Sequence, residues 1–198
     1  MTQNSLKIAV TGGIGSGKST VSEIIRGKGY PVFSCDQIYS ELLTSKDFLK
    51  KLENEFDGVI SSDGTLDRKR LSEIVFNNDE ALKKLNAITH PEIMAAAKKK
   101  MERHEVSFLE VPLLFENGFE NLYDSVIVVL RDREERIKSV MARDGTSREK
   151  VTLRLKSQFD YDNSDFTKYY VIHNCGNLSN LEQNTLNILK KIENDKKA

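Results

Sequence analysis

The run Gly12-Gly13-Ile14-Gly15-Ser16-Gly17-Lys18-Ser19 constrains this chain more than any other segment. It follows Leu6 to Val10, a short apolar stretch that reads as a buried strand closed by a turn at Thr11-Gly12-Gly13. It precedes Ser19 to Lys28, where Val21, Ile24 and Ile25 recur at helical spacing. The pattern G-x-x-x-x-G-K-[ST] between a strand and a helix has a mechanical meaning. Glycines let the backbone curl until successive N–H groups point inward at phosphate oxygens, and the helix starting near Lys18 adds the positive end of its dipole. Gly13, Gly15, Ser16, Gly17 and Thr20 then belong to the cradle of a nucleotide such as ATP. Lys18 reaches the β and γ phosphates, and Ser19 places its hydroxyl on the accompanying Mg²⁺.

Beyond this loop the elements alternate. Tyr30 to Phe33 reads as a second strand, and from Asp36 to about Arg103 the pattern is helical, broken by the turn Ser61-Ser62-Asp63-Gly64. Pro91 sits where a first-turn proline starts a helix, with Thr89 or His90 as its cap. Strands return at Val106–Val111 and at Ser125–Leu130, the latter a continuous apolar run suited to a parallel strand covered on both faces. A charged helical region from Asp132 to Ser157 is interrupted at Asp144-Gly145, with Thr146-x-x-Glu149 as a capping box. Tyr169–Ile172 is a last strand, and Ser179-x-x-Glu182 caps a final amphipathic helix with a Lys-rich end. The expectation is an α/β P-loop NTPase three-layer fold with a central parallel sheet, an inserted helical substrate-binding lobe and a helical lid. Residues 1–35 and 105–198 form the nucleotide core, with the lid at about 138–160, and 36–104 form the lobe.

Composition removes other classes. Thirty Lys and Arg balance 30 Asp and Glu, which argues against a nucleic-acid binder or a polybasic membrane-surface protein. With 38% apolar residues in periodic blocks the chain is not a disordered solubiliser. The start Met1-Thr2-Gln3-Asn4-Ser5 has no signal-peptide pattern, and the longest apolar stretch, Val126 to Leu130, is far short of the roughly 20 residues of a membrane span. Cys35 and Cys175 have no partners at metal-ligand spacing and read as reduced thiols. A cytoplasmic protein is expected, with small-molecule partners, no nucleic acid and no membrane, as a monomer or small homo-oligomer.

A phosphate loop serves GTPases, ATPases and kinases alike. The guanine-reading Asn-Lys-x-Asp is absent, and 198 residues are few for a large ATPase. A small kinase needs an inserted acceptor lobe, a base after the second strand and a mobile basic lid, and each has candidates. Asp36, just after the second strand, suits the base that takes or orients the acceptor hydroxyl's proton, worth about 10²–10⁴-fold; its other reading is a helix N-cap. Glu110, ending the strand Val106–Val111, suits a second Mg²⁺-ordering position, directly or through water, and Glu116 reads as a structural or helix-start acid. Between Arg131 and Gln158 nine Lys and Arg face five acids. There Arg143, before the Asp144-Gly145 break, and Arg154, on the next helix, are the candidates for a transition-state arginine. His90 reads as a capping or packing histidine, His104 as exposed and His173 as structural.

Taken together, the motifs resemble the dephospho-coenzyme A kinase family over nearly the whole chain. They are Val10 to Thr20, Asp36, Asp63-Gly-Thr-Leu-Asp-Arg68, Leu85-Asn-Ala-Ile-Thr-His-Pro91, Val111-Pro-Leu-Leu-Phe-Glu116, Met141-Ala-Arg-Asp-Gly145 and Tyr170-Val-Ile-His-Asn174. The resemblance implies phosphorylation by ATP of the 3′-hydroxyl of the ribose of dephospho-CoA, the last step of coenzyme A biosynthesis. It implies Asp36 as the base, Arg143 as the leading lid arginine, and His90 and Pro91 on the acceptor side; Arg70 is a basic candidate for holding the acceptor, beside Arg68, Lys69 and Lys98 to Lys100. Three positions depart from the family pattern: Ser34 stands where an acid is common, Glu110 where Asp is common, and His173 where Asp is common. The rival readings are another small-molecule kinase, of nucleotide or shikimate type, and a nucleotide-dependent regulatory binder. Charge is also unevenly spread. Residues 36–130 hold twelve basic against eighteen acidic side chains, so the acceptor lobe is expected to be acidic although its substrate is an anion.

Overall fold

Strands β1 (Leu6–Thr11), β2 (Val32–Ser34), β3 (Val106–Glu110), β4 (Ser125–Leu130) and β5 (Tyr170–His173) form one sheet in the order β2-β3-β1-β4-β5. The computed structural model that shows this describes residues 5–76 and 78–196; the polar start Met1–Asn4 and the tail residues Lys197 and Ala198 lie outside the described residues. β1 pairs in parallel with β3 and with β4, and β4 pairs in parallel with β5. The unbroken apolar run of the sequence is explained by this position, since Val126 to Val129 are all buried beside the buried Ile8, Ala9 and Val10. Parallel neighbours need helical crossovers. They are α1 (Lys18–Gly27) after β1, α6 (Arg133–Asp144) and α7 (Arg148–Lys156) between β4 and β5, and the inserted helices between β2 and β3. The closing helix α8 (Leu178–Asp195) joins α1 in one core: Val21 and Ile25 with Leu181, Leu189 and Ile192 over Ile8, Phe108, Ile127 and Ile172. Each such side chain contributes about 1.5–3 kcal/mol of apolar burial. Parallel strands send their carboxyl ends to one edge of the sheet, so the loops after β1, β3, β4 and β5 converge there.

The chain divides into two compact units, one of the described residues through Phe33 together with those from Met101 onward, the other Ser34–Lys100. The second unit is the insertion: α2 (Cys35–Leu42), α3 (Lys46–Glu55), α4 (Arg68–Val75) and nearly all of α5 (Asp79–Met101). It has its own core of Phe48, Leu52, Phe56, Val59, Leu71 and Ala81. The turn expected at Ser61 to Gly64 closes an isolated antiparallel bridge between Ile60 and Leu66, with Asp63 Oδ1 accepting from Thr65 N at 3.0 Å.

Four local readings are corrected. Pro91 does not start a helix, because α5 runs 23 residues through it and Thr89 is buried inside. A proline deletes one ladder bond, and buried Ala81, Ile93, Ala97 and Met101 hold the helix on either side of the gap. α7 is capped by Ser147, whose hydroxyl accepts from Lys150 N at 3.5 Å, not by Thr146. α8 is capped by Asn177, whose Oδ1 accepts from Asn180 N at 3.0 Å, not by Ser179. Asp36 is likewise no cap: Ser34 holds that position and Asp36 lies in the first turn of α2.

Candidate active site

The loop between β1 and α1 is shaped by its glycines and by what presses on them. A Cβ at Gly12 would run into the Val129 carbonyl, and Gly17, the N-cap of α1, is left-handed at φ 97°. No side chain caps α1, so its first N–H groups remain available to an anion. The loop is pinned from three sides. Asn174 Nδ2 donates to Ser16 O at 2.8 Å, Gln158 Oε1 accepts from Ile14 N at 2.8 Å, and Arg131 Nη1 reaches Gly15 O at 3.4 Å.

Lys18 folds back on this loop, its ammonium donating to Gly12 O at 2.6 Å and Gly13 O at 3.1 Å. Burial pushes its pKa down to about 8; Glu110 and Glu116 oppose that shift, while the charges of Arg143 and Arg136 add to it. At the end of β3, Glu110 binds two hydroxyls of α1, accepting from Ser19 Oγ at 2.9 Å and from Ser22 Oγ at 3.0 Å. Its register partner Val10 brings it beside the phosphate loop. Thr20, one residue on from Ser19, is exposed.

Phosphate and a hard cation fit these residues. Ser16 Oγ is buried with no partner among the described residues, where a hydroxyl suits a phosphate oxygen, and Ser19 and Glu110 supply oxygen donors of the kind Mg²⁺ takes. A cavity of about 220 Å³ opens beside the loop, lined by Gly13, Ser16, Arg131, Arg136, His173 and Asn174.

Aromatic packing ties the 159–169 segment to the loop after β3. Phe115 stacks among Phe159, Tyr161, Phe166 and Tyr169 with ring centroids 4.9–6.0 Å away. Tyr161 shares a hydrogen bond with Thr11 Oγ1 at 3.3 Å, and burial raises its pKa well above the usual phenol value. Glu116 has a structural task, accepting from Phe159 N at 3.0 Å. The two lid candidates meet on one carboxylate: Arg143 Nε donates to Asp144 Oδ1 at 2.7 Å and Arg154 Nη1 to Asp144 Oδ2 at 3.0 Å. Both guanidinium groups are largely exposed, and the bond to Asp144 raises the pKa of Arg143 further.

In the second unit Asp36 is exposed on α2, and its backbone oxygen accepts from Ser40 Oγ at 3.0 Å. Arg70, on α4, donates from Nη2 to Asp57 O at 3.3 Å and packs against Gly58. His90 is half-buried on α5 beside Pro91, and burial lowers its pKa, favouring the neutral ring. Thus Lys18, Ser16, Ser19, Glu110, Arg143 and Arg154 belong to one unit, and Asp36, Arg70, His90 and Pro91 sit on three helices of the other.

Arg136 and Asp162 carry no local signal in the sequence, and Asn174, present there only within the Tyr170–Asn174 motif, gains its contact with the phosphate loop from the fold. Arg136 is one of nine basic residues in its segment and is 3% exposed. Its ion pair with Asp162 spans a connection whose path no spacing rule gives.

Comparison with known proteins fits this geometry. The family model described as dephospho-CoA kinase matches residues 6–180. A curated relative named dephospho-CoA kinase, from Thermus thermophilus, is 38% identical over 178 residues, covering 89% of this chain and 86% of its own length. A crystal structure from the same organism, of a protein designated TT1252, superposes with a TM-score of 0.80 at 36% identity, covering 94% of this chain and 97% of that one. A solved dephospho-CoA kinase from Campylobacter jejuni is 33% identical with a TM-score of 0.66, covering 94% and 96% of the two chains.

Proposed function

The chain belongs to the dephospho-CoA kinase family, and from that premise we propose that it moves the γ-phosphoryl group of ATP to the ribose 3′-hydroxyl of dephospho-CoA, giving coenzyme A and ADP. The observation that carries the residue roles is the loop itself. Lys18 is held at the mouth of a glycine cradle, a Ser16 hydroxyl without a partner among the described residues lies inside it, and Ser19 is oriented by Glu110. When bound there, Mg²⁺ supplies charge neutralisation across the phosphates. Ser19 offers it a hydroxyl, and Glu110 acts on that hydroxyl, whether it also meets the metal directly or through water. Lys18 moves from the Gly12 and Gly13 carbonyls to the phosphate chain, replacing two neutral acceptors by charged ones.

The Ser34–Lys100 unit is the acceptor lobe in this reading. Asp36, in the first turn of α2 rather than at its N-cap, takes the proton of the attacking hydroxyl. Arg70, His90 and Pro91 contribute to holding the acceptor. Arg143 leaves Asp144 as the lid closes and stabilises charge on the transferred group. Among the described residues no helix is long and apolar enough to cross a membrane, and we place the enzyme in the cytoplasm.

The test is an acceptor screen with ATP against dephospho-CoA, AMP, CMP and shikimate, run beside Asp36→Asn. Turnover is expected with dephospho-CoA alone, and kcat of the variant should fall by about 10²-fold or more with ATP affinity little changed. Turnover with a different acceptor, or ATP hydrolysis indifferent to all four, would overturn the assignment.

A further inference from the structure

Arg136 stands apart from the other basic residues of its segment. It is 3% exposed, whereas Arg143, Arg148 and Arg154 are largely in solvent. Taking a guanidinium out of water is costly unless all its donors find acceptors. Here they do not. Nη2 pairs with Asp162, while Nε is buried without a partner among the described residues. Nη1 lies against the phosphate loop, 2.5 Å from where a Cβ of residue 13 would stand. The group therefore lines the cavity beside Gly13 and Ser16 with hydrogen-bonding capacity unspent.

We propose that Arg136 is a phosphate-binding residue for the nucleotide, set in place before ligand arrives by its ion pair with Asp162. This rests on ATP being the donor at this loop. The Asp162 carboxylate does not cancel the site's positive charge, because Arg133 Nη1 also donates to it at 3.2 Å, leaving two cations on one anion. The pairing holds the guanidinium through Nη2 while Nη1 faces Gly13. The backbone of α6 is held equally close, since the Arg136 carbonyl would lie 2.7 Å from a Cβ at Gly15. Arg136 is thereby placed in the free enzyme, in contrast to Arg143, which must first leave Asp144.

The alternative role is a strut joining α6 to the 159–169 segment. Calorimetric binding of ATP, ADP and adenosine to the wild type and to Arg136→Gln separates the two, with thermal unfolding recorded for each. A phosphate contact predicts about 10- to 100-fold weaker ATP and ADP, the loss of a charge-assisted bond, with adenosine little changed. Equal weakening of all three ligands, or a lower melting temperature with ATP affinity intact, identifies the strut and overturns the proposal. Should Arg136→Gln not fold, Asp162→Asn decides: it frees the guanidinium from the carboxylate that fixes it, so ATP and ADP should bind more weakly while adenosine is little changed. Unchanged affinity for ATP and ADP in the folded Asp162→Asn variant would overturn the proposal. The two failures are distinguishable, because a wild type that does not bind ATP contradicts the kinase reading itself, whereas unchanged ATP affinity in a folded variant contradicts only the role of Arg136. Measuring KM for dephospho-CoA in the same variants separates the nucleotide's phosphates from the acceptor's pyrophosphate; a loss confined to dephospho-CoA would also overturn the assignment.

Discussion

Lys18 carries its charge where burial penalises it, and that makes the phosphate loop a proton-linked site. Among the described residues its ammonium hydrogen-bonds two carbonyls of the loop, and its pKa stands at about 8 against an ordinary 10.5. For a base shifted in this direction the unfolded chain holds the extra proton between those values. The lysine therefore costs stability below about pH 8, and that cost is relieved as pH rises toward 10.5. Ligand binding runs the other way. Phosphate oxygens around Nζ restore the charged form, so ATP should take up a proton when it binds above about pH 8. The Kd for ATP is expected to rise with pH in that range, approaching about tenfold per pH unit, while Lys18→Ala binds weakly with no such dependence. Calorimetry in buffers of different ionisation enthalpy measures the uptake directly; no proton uptake by the wild type between about pH 8 and 10 would contradict it.

At the scale of elements, what could be read in advance depended on whether one physical term dominated. The strand Ser125–Leu130 has the same bounds in sequence and structure, because a run buried on both faces is specified by hydrophobicity alone. The phosphate loop was legible because its backbone tolerates few residues, as Gly17 at φ 97° shows. Helix starts were not, since several polar residues compete within one turn for the same orphan N–H groups. Ser179-x-x-Glu182 matches the capping pattern, yet the chain leaves β5 at His173, turns at left-handed Gly176 and enters α8 at Asn177, so tertiary path decided between near-equal caps. Asn177→Ala should therefore cost about 1 kcal/mol, and Ser179→Ala a few tenths, in urea unfolding followed by circular dichroism. Equal costs would mean that α8 starts later. Arg136 marks the same limit for the site. Its role depends on an acid 26 residues away, and nothing local distinguishes it from its eight basic neighbours.

For the whole molecule, the division into units changes where its acidity lies. The sequence assigned an excess of six acids to residues 36–130, and hence to the acceptor lobe. The unit Ser34–Lys100 holds eleven basic against twelve acidic side chains, and residues 101–130, which belong to the other unit, hold one against six. The lobe is thus nearly neutral, and no overall field repels an anionic acceptor. Some of the displaced acidity has identifiable work, since Glu110 orients Ser19 and Glu116 holds Phe159. Each unit also has a core of its own, so each can be stabilised by its own ligand. ATP should slow amide exchange at Gly12–Ser19, in α6 and in the segment 159–169, with little effect on Ser34–Lys100. Dephospho-CoA added alone should slow exchange in α2, α4 and the part of α5 around His90. Exchange read by mass spectrometry on peptides from both units tests the assignment, and protection by dephospho-CoA confined to the phosphate-loop unit would remove the acceptor role from the inserted helices.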